Sequence, residues 1–306
     1  SGKINKAKDI VKSSLKIYPR NLLINQYKID LNKKKNVSIF DCKKEEHVIA
    51  EILYITANAL SSQSIYSLSN FYLNLAKYLN EAFHSYDTLL AENFYEIENF
   101  KLSKKIYNNL SKKGEAFHWY SSKQLAKILF KEKNKNEAIK LVSDAYENLL
   151  IKEIYETFDY AELLKNNEKF KDAIIYYSKI INTVGKEHSL YVEATEGRGV
   201  AYEQIGEWDK AEKDLLLSLK ADPNQAYVIN YLAYSWIEQG IKIEKSLNML
   251  EKANKLKSND PYIIDSLGWA LFKLKRYNKS KEYLQSAVRL MPGDPIVNDH
   301  YGDVLW

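Results

Sequence analysis

Residues 192–294 divide into three consecutive stretches: VEATEGRGVAYEQIGEWDKAEKDLLLSLKADPNQ (192–225), AYVINYLAYSWIEQGIKIEKSLNMLEKANKLKSND (226–260) and PYIIDSLGWALFKLKRYNKSKEYLQSAVRLMPGD (261–294). They share one register once an extra residue after Gly240 is allowed for. The first predicts a helix A over about Val192–Ile205, a turn at Gly206-Glu207-Trp208, a helix B over Asp209–Lys220 and a stop at Ala221-Asp222-Pro223. Helix B carries a small residue followed four and seven positions later by residues of the same face: Ala211, Leu215, Ser218; Ser246, Leu250, Ala253; Ser280, Leu284, Ala287. Pro261 suits a helix start, and Pro292-Gly293 a stop.

Working outward, a small residue recurs at Ala57, Ala91, Ala126, Ala161, Gly199, Ala233, Gly268 and Gly302, at intervals of 34 to 38 residues. Three positions after each stands a large apolar residue: Leu60, Phe94, Leu129, Leu164, Tyr202, Trp236, Leu271 and Leu305. A fixed period near 34 residues marks a repeat array, in which each helical pair buries its apolar face by stacking on its neighbours. Three segments follow: residues 1–49, a degenerate repeat fragment and insert; 50–191, divergent repeats; and 192–306, well-formed repeats ending in an uncovered helix A. In 1–49 the sequence opens in a helix B (Ala7, Val11, Ser14, then Pro19), and 32–46 reads as a polar, lysine-rich insert. Ser69 and Ser103 stand where helix B would carry Ala, and the loop 184–188 is the expected flexible joint.

Composition agrees with an all-helical chain. Gly (10) and Pro (5) are scarce among 306 residues, and 45% of the residues are hydrophobic. The 24 tyrosines suit a thin two-layer solenoid, where a ring is buried and its hydroxyl stays wet. The net charge of +5 divides into +8 over 1–153 and −3 over the rest, too mild and too scattered for a nucleic-acid footprint. Cys42 is alone, so no intrachain disulfide can form. No run approaches the roughly 18 apolar residues of a membrane span. Ser1-Gly2 reads as an expression scar.

Small residues at repeat positions 8, 20 and 27, large ones at 11 and 24, and Pro at 32 resemble the tetratricopeptide repeat. The resemblance covers residues 50–306 and is most specific in 192–294. YLAYSW (231–236), DSLGWAL (265–271), NDHYGD (298–303) and AEILY (50–54) are similar to an alphaproteobacterial group of such arrays. It implies an all-α, right-handed superhelical solenoid of antiparallel helix pairs that binds a protein or peptide in a concave groove. It also implies a bacterial source, with the cell envelope or periplasm favoured because members of the group often carry an export signal. Arg198 departs from the pattern, standing where the repeat usually has Leu.

No chemistry emerges. There is no phosphate-binding glycine loop, no H-E-x-x-H and no Cys pair for zinc. The five histidines (His47, His84, His118, His188, His300) read as single surface or edge residues. Asp299 and Asp303 share a helical face, with His300 turned about 100° away. No catalytic residue, cofactor or metal site is therefore expected. In the resembled family, positions 2, 5, 9, 12 and 13 of helix A face the groove. The partner-binding candidates are thus Glu196, Glu203, Tyr227, Asn230, Tyr234, Tyr262, Asp265, Trp269, Asp299 and Asp303, a set of aromatic anchors beside acids. Such a groove suits a segment carrying Lys or Arg plus an apolar anchor. Upstream the same positions are basic: Lys123, Lys127, Lys131 and Lys165. The clamp that related repeats use for acidic chaperone tails is missing, since Lys123-Lys127 is followed by Asp159. The expected function is a non-catalytic scaffold, without nucleic-acid binding or membrane insertion and with self-association open. The alternative is a regulatory or recruitment region of a longer envelope-associated or enzymatic polypeptide.

Overall fold

The computed structural model describes residues 2–35 and 39–306, which form seventeen α-helices and no strand. They make two compact units, Ser1–Tyr160 and Ala161–Trp306. The first contains α1 (Gly2–Ile17), α2 (Leu22–Asn32), α3 (Glu45–Ser62), α4 (Tyr66–Leu79), α5 (Ser85–Glu96), α6 (Phe100–Leu110), α7 (Glu115–Lys131) and α8 (Lys135–Glu147). Helix α9 (Ile154–Asn166) contains the division. The second unit continues with α10 (Phe170–Thr183), α11 (Ser189–Gln204), α12 (Trp208–Ala221), α13 (Ala226–Glu238), α14 (Ile243–Leu256), α15 (Pro261–Lys273), α16 (Tyr277–Leu290) and α17 (Pro295–Leu305). From α3 onward, helices A and B alternate as the period predicts. Helices A pack on their own helix B, and helix B on the helix A that follows, as α13 packs on α14 and α14 on α15; α13 also meets α15 directly. This division by compactness differs in kind from the division by repeat quality.

The small residue of helix A exists to admit one side chain sixteen positions later. A Cβ added at Gly268 would lie 2.7 Å from Leu284 Cγ, and one at Gly199 would lie 3.0 Å from Leu215 Cγ. In earlier repeats Ala57, Ala91 and Ala161 are fully buried, and the residue sixteen positions on is Leu73, Tyr107 or Tyr177, also buried. Two tyrosines, Tyr107 and Tyr177, thus do a leucine's work at the helix crossing, each with a hydroxyl to be accommodated. That of Tyr177 donates to Glu162. Three of the serines at the small position of helix B have a similar explanation. Ser69, Ser103 and Ser280 each donate to the carbonyl of the small residue twelve positions earlier, at 2.8, 2.9 and 2.8 Å. A buried hydroxyl costs less when it has a partner; Ser246, at the same position of α14, is buried with its hydroxyl unpaired.

Each hairpin turns at one residue, seven positions after the small residue, with positive φ: Ser64, Glu98, Lys133, Glu168, Gly206, Gly240 and Lys275. Only two of the seven are glycine, so the turn is imposed by the packed helices on residues that disfavour it. The extra residue after Gly240 brings a second such position, Lys242. The starts of α15 and α17 are set by an Asp-Pro pair. Asp260 Oδ1 accepts from the backbone N–H of Tyr262 and Ile263 (3.1 and 3.2 Å), and Asp294 Oδ1 from Ile296 and Val297 (3.0 and 3.1 Å). Proline follows at the first helical position, where no donor is needed.

Arg198 is explained by α12. Its guanidinium donates from Nε and Nη2 to the two carboxylate oxygens of Asp214, at 2.6 and 2.9 Å, and from Nη1 to Ser178 (3.0 Å). Asp214 is buried, and a planar fork on a carboxylate is a geometry only arginine supplies.

The N-terminus departs from repeat order. Within residues 1–49, where the sequence shows a fragment and an insert, Leu22–Asn32 folds as α2. It packs on α7 rather than on α3, the next helix in sequence. Gln26 is buried there. Its Oε1 accepts from Ala116 N (3.0 Å), and its carboxamide rests where a side chain on Gly114 would stand.

Candidate functional site

The expected groove positions of the second unit lie on α11, α13, α15 and α17, and their burial separates them into three groups. Tyr227 and Tyr262 are open, at 51% and 55% exposure. Tyr227 is braced rather than loose: its hydroxyl donates to Asp260 Oδ2 (3.1 Å) and accepts from Lys257 Nζ (3.0 Å). Asp299 and Asp303 are exposed, with no ion pair among the described residues.

Glu196, Glu203, Asn230 and Tyr234 are half-buried. Burial pushes the Glu196 carboxyl above its usual range; Lys165 opposes the shift, and Glu162 and Glu193 add to it. Glu203 accepts from the Tyr231 hydroxyl at 2.8 Å. The Tyr234 hydroxyl is pushed up to about 12, first by burial and then by Glu238 and Asp265.

Asp265 and Trp269 are buried, at 5% and 6% exposure, and here the sequence expectation is corrected. Trp269 is not an open anchor. Its ring stacks on His300 (centroids 4.0 Å apart, 14° between planes) and on Phe272 (5.0 Å, 5°), and its Nε1 donates to Glu238 Oε1 at 2.7 Å. Lys273 covers it at 4.2 Å. His300 is likewise not a surface histidine: it is buried, with Nδ1 2.9 Å from Asp265 Oδ2. The other oxygen, Asp265 Oδ1, is shut from solvent without a hydrogen-bond partner, and so is Asn230 Oδ1. Asn230 and Asp265 occupy the same repeat position, the fifth, on successive helices A. Two acceptors without donors therefore sit on one face, bordered by two open tyrosines.

A second regularity emerges across the chain. Asp265, at position 5, meets His300, at position 6 of the next repeat; Lys123, at position 5, pairs in the same way with Asp159 at position 6. The spacing of 35 or 36 residues was the available signal for His300. A helical-face argument confined to one repeat passes over it. Among the described residues no three His, Cys, Asp or Glu side chains gather to hold a metal ion. Nor is any helix among them long and apolar enough to cross a membrane.

An alternation of short antiparallel helices, locked by a small residue against a large one sixteen positions on, defines a helical-hairpin repeat solenoid. Residues 263–294 match the family model for the tetratricopeptide repeat. A TPR repeat-containing protein of Pseudomonas aeruginosa is 28% identical over 143 residues, which is 47% of this chain and 23% of that protein. The chain thus spans less than a quarter of that relative's length. In structure it is similar to the C-terminal part of a TPR repeat-containing protein of Cytophaga hutchinsonii (TM-score 0.50, 16% identity, 81% of this chain and 98% of that one). It also resembles MamA from Desulfovibrio magneticus (TM-score 0.44, 18% identity, 49% and 82%). Residues 263–294 thus carry a tetratricopeptide repeat, and the rest of the chain is similar in fold to tetratricopeptide-repeat proteins. None of these three matches selects the alphaproteobacterial group.

Proposed function

We propose that the chain is a non-catalytic scaffold holding a peptide or protein segment on the helix-A face of α11, α13, α15 and α17. The observation that supports this most is the pair of orphaned acceptors, Asp265 Oδ1 and Asn230 Oδ1, on consecutive helices of that face. A buried acceptor without a donor is costly, and a ligand that brings N–H groups removes the cost. Tyr227 and Tyr262 supply open rings on the same helices, so the ligand is a segment with Lys or Arg next to a large apolar residue. A recruitment region of a longer polypeptide would use the same face.

Selection of a random-peptide display library on the immobilised chain tests the reading. Peptides pairing Lys or Arg with a large apolar residue should be enriched. Asp265→Asn and the double variant Tyr227→Ala/Tyr262→Ala should each weaken the selected peptide about tenfold or more, with unchanged helicity. Enrichment without basic residues, or affinity indifferent to both variants, would refute it.

A further inference from the structure

A cavity of about 300 Å³ lies in the first unit beneath α2, where that helix rests on α7 and the opening turns of α9. The volume is at the small end of the range for ligand pockets, about 300–1,000 Å³. Its walls are largely apolar, with Leu22 and Ile29 from α2, Trp119 from α7, and Leu149 and Ile151 from the turn before α9.

The charges around it follow a pattern. Four cations line the cavity, and each is already committed: Arg20 to Asp159 (2.5 Å), Lys28 to Glu153, Lys33 to Glu115 (3.3 Å), and Lys123 also to Asp159. Asp159 takes two of the four. The fourth lining carboxylate, Glu156, takes none, and its Oε2 is shut from solvent without a hydrogen-bond partner. Burial raises its pKa above the ordinary carboxylate value; a hydrogen bond from its own backbone N–H and the charge of Lys123 oppose the shift, and Glu153 and Asp159 add to it. A half-buried carboxylate beside cations all engaged elsewhere is costly unless a further positive charge arrives. A glutamine would fill the same space without that cost.

We propose that this cavity binds an organic ammonium group on a short apolar body, its charged head on the Glu156 carboxylate and its body against Trp119, Ile29 and Ile151. The site is separate from the helix-A face of the second unit and does not depend on the scaffold reading.

Calorimetry on the whole chain at pH 7.5 decides it, with three probes: phenethylammonium, its neutral analogue 2-phenylethanol, and N-acetyl-lysine amide. The ammonium should bind at least about tenfold tighter than the alcohol, as expected for a charge-assisted hydrogen bond. Glu156→Gln should erase that preference while melting no lower than the parent. If the lysine derivative also binds, a partner's side chain can supply the head; if only phenethylammonium binds, the ligand is a small amine. Equal affinity for amine and alcohol, no binding of any probe, or a preference surviving Glu156→Gln would overturn the proposal.

Discussion

Arg198→Leu would restore the residue the tetratricopeptide pattern usually has, yet it should be among the more damaging substitutions in the chain. Asp214 keeps its burial when the guanidinium goes, with its side chain only 5% accessible, and it loses both hydrogen bonds that satisfy it. Breaking a buried ion pair from one side costs about 3–5 kcal/mol, because the remaining charge has neither water nor counter-ion. Removing both charges is different: Arg198→Leu/Asp214→Leu replaces the pair by apolar groups and should fall within about 1 kcal/mol of the parent, on either side. Four of the five tryptophans (Trp208, Trp236, Trp269, Trp306) lie in the second unit, so urea unfolding followed by tryptophan emission reports the affected region. The single variant should lower the midpoint strongly with unchanged slope, and the double should recover it. A single variant within about 0.5 kcal/mol of the parent, or a double as unstable as the single, would refute this account of Arg198.

Gly268→Ala places a methyl against Leu284 and should destabilise by about 1–2 kcal/mol after the helix-propensity gain, whereas Gly302→Ala, with nothing within 4 Å, should be neutral or stabilise by up to about 1 kcal/mol. Both are read from thermal melts followed by far-ultraviolet dichroism. Lys275→Gly relieves a left-handed backbone residue and should stabilise by about 0.5–1 kcal/mol in the same melts. For Glu196 the folded pKa lies above the unfolded value of 4.5, so the folded chain holds the proton more tightly and loses stability as pH rises through that interval. Glu196→Gln should therefore melt above the parent at pH 7, with the gap closing at pH 4; a gap independent of pH would contradict the burial of that carboxyl.

The repeat and its hairpins were legible because the small residue and its partner sixteen positions on both lie within one period. The conformation of the turns was not: Ser64, Glu98, Lys133, Glu168 and Lys275 carry no sign of the left-handed backbone that packing forces on them. The expected groove positions came from the resembled repeat and share a helical phase; of these, Tyr227 and Tyr262 are open on their helices. Phase alone cannot say what the next helix lays over a residue, and so Trp269, whose phase is the same, lies beneath His300. The placement of α2 was least legible of all, because Gln26 fits against Gly114, a contact with no local trace.

That placement has a kinetic consequence. The hairpins join residues a dozen or so positions apart, as the serine-to-carbonyl bonds do. The bonds that fasten α2 join Arg20 to Asp159 and Lys28 to Glu153, 139 and 125 residues apart. Closing the longer loop costs about 2 kcal/mol more in chain entropy than closing a hairpin of a dozen residues. Local hairpins therefore form early and the α2 contact forms late. Assembly here does not follow the order of the chain: α2 precedes α7 in sequence, yet it has no surface to settle on until α7 and the start of α9 have already folded.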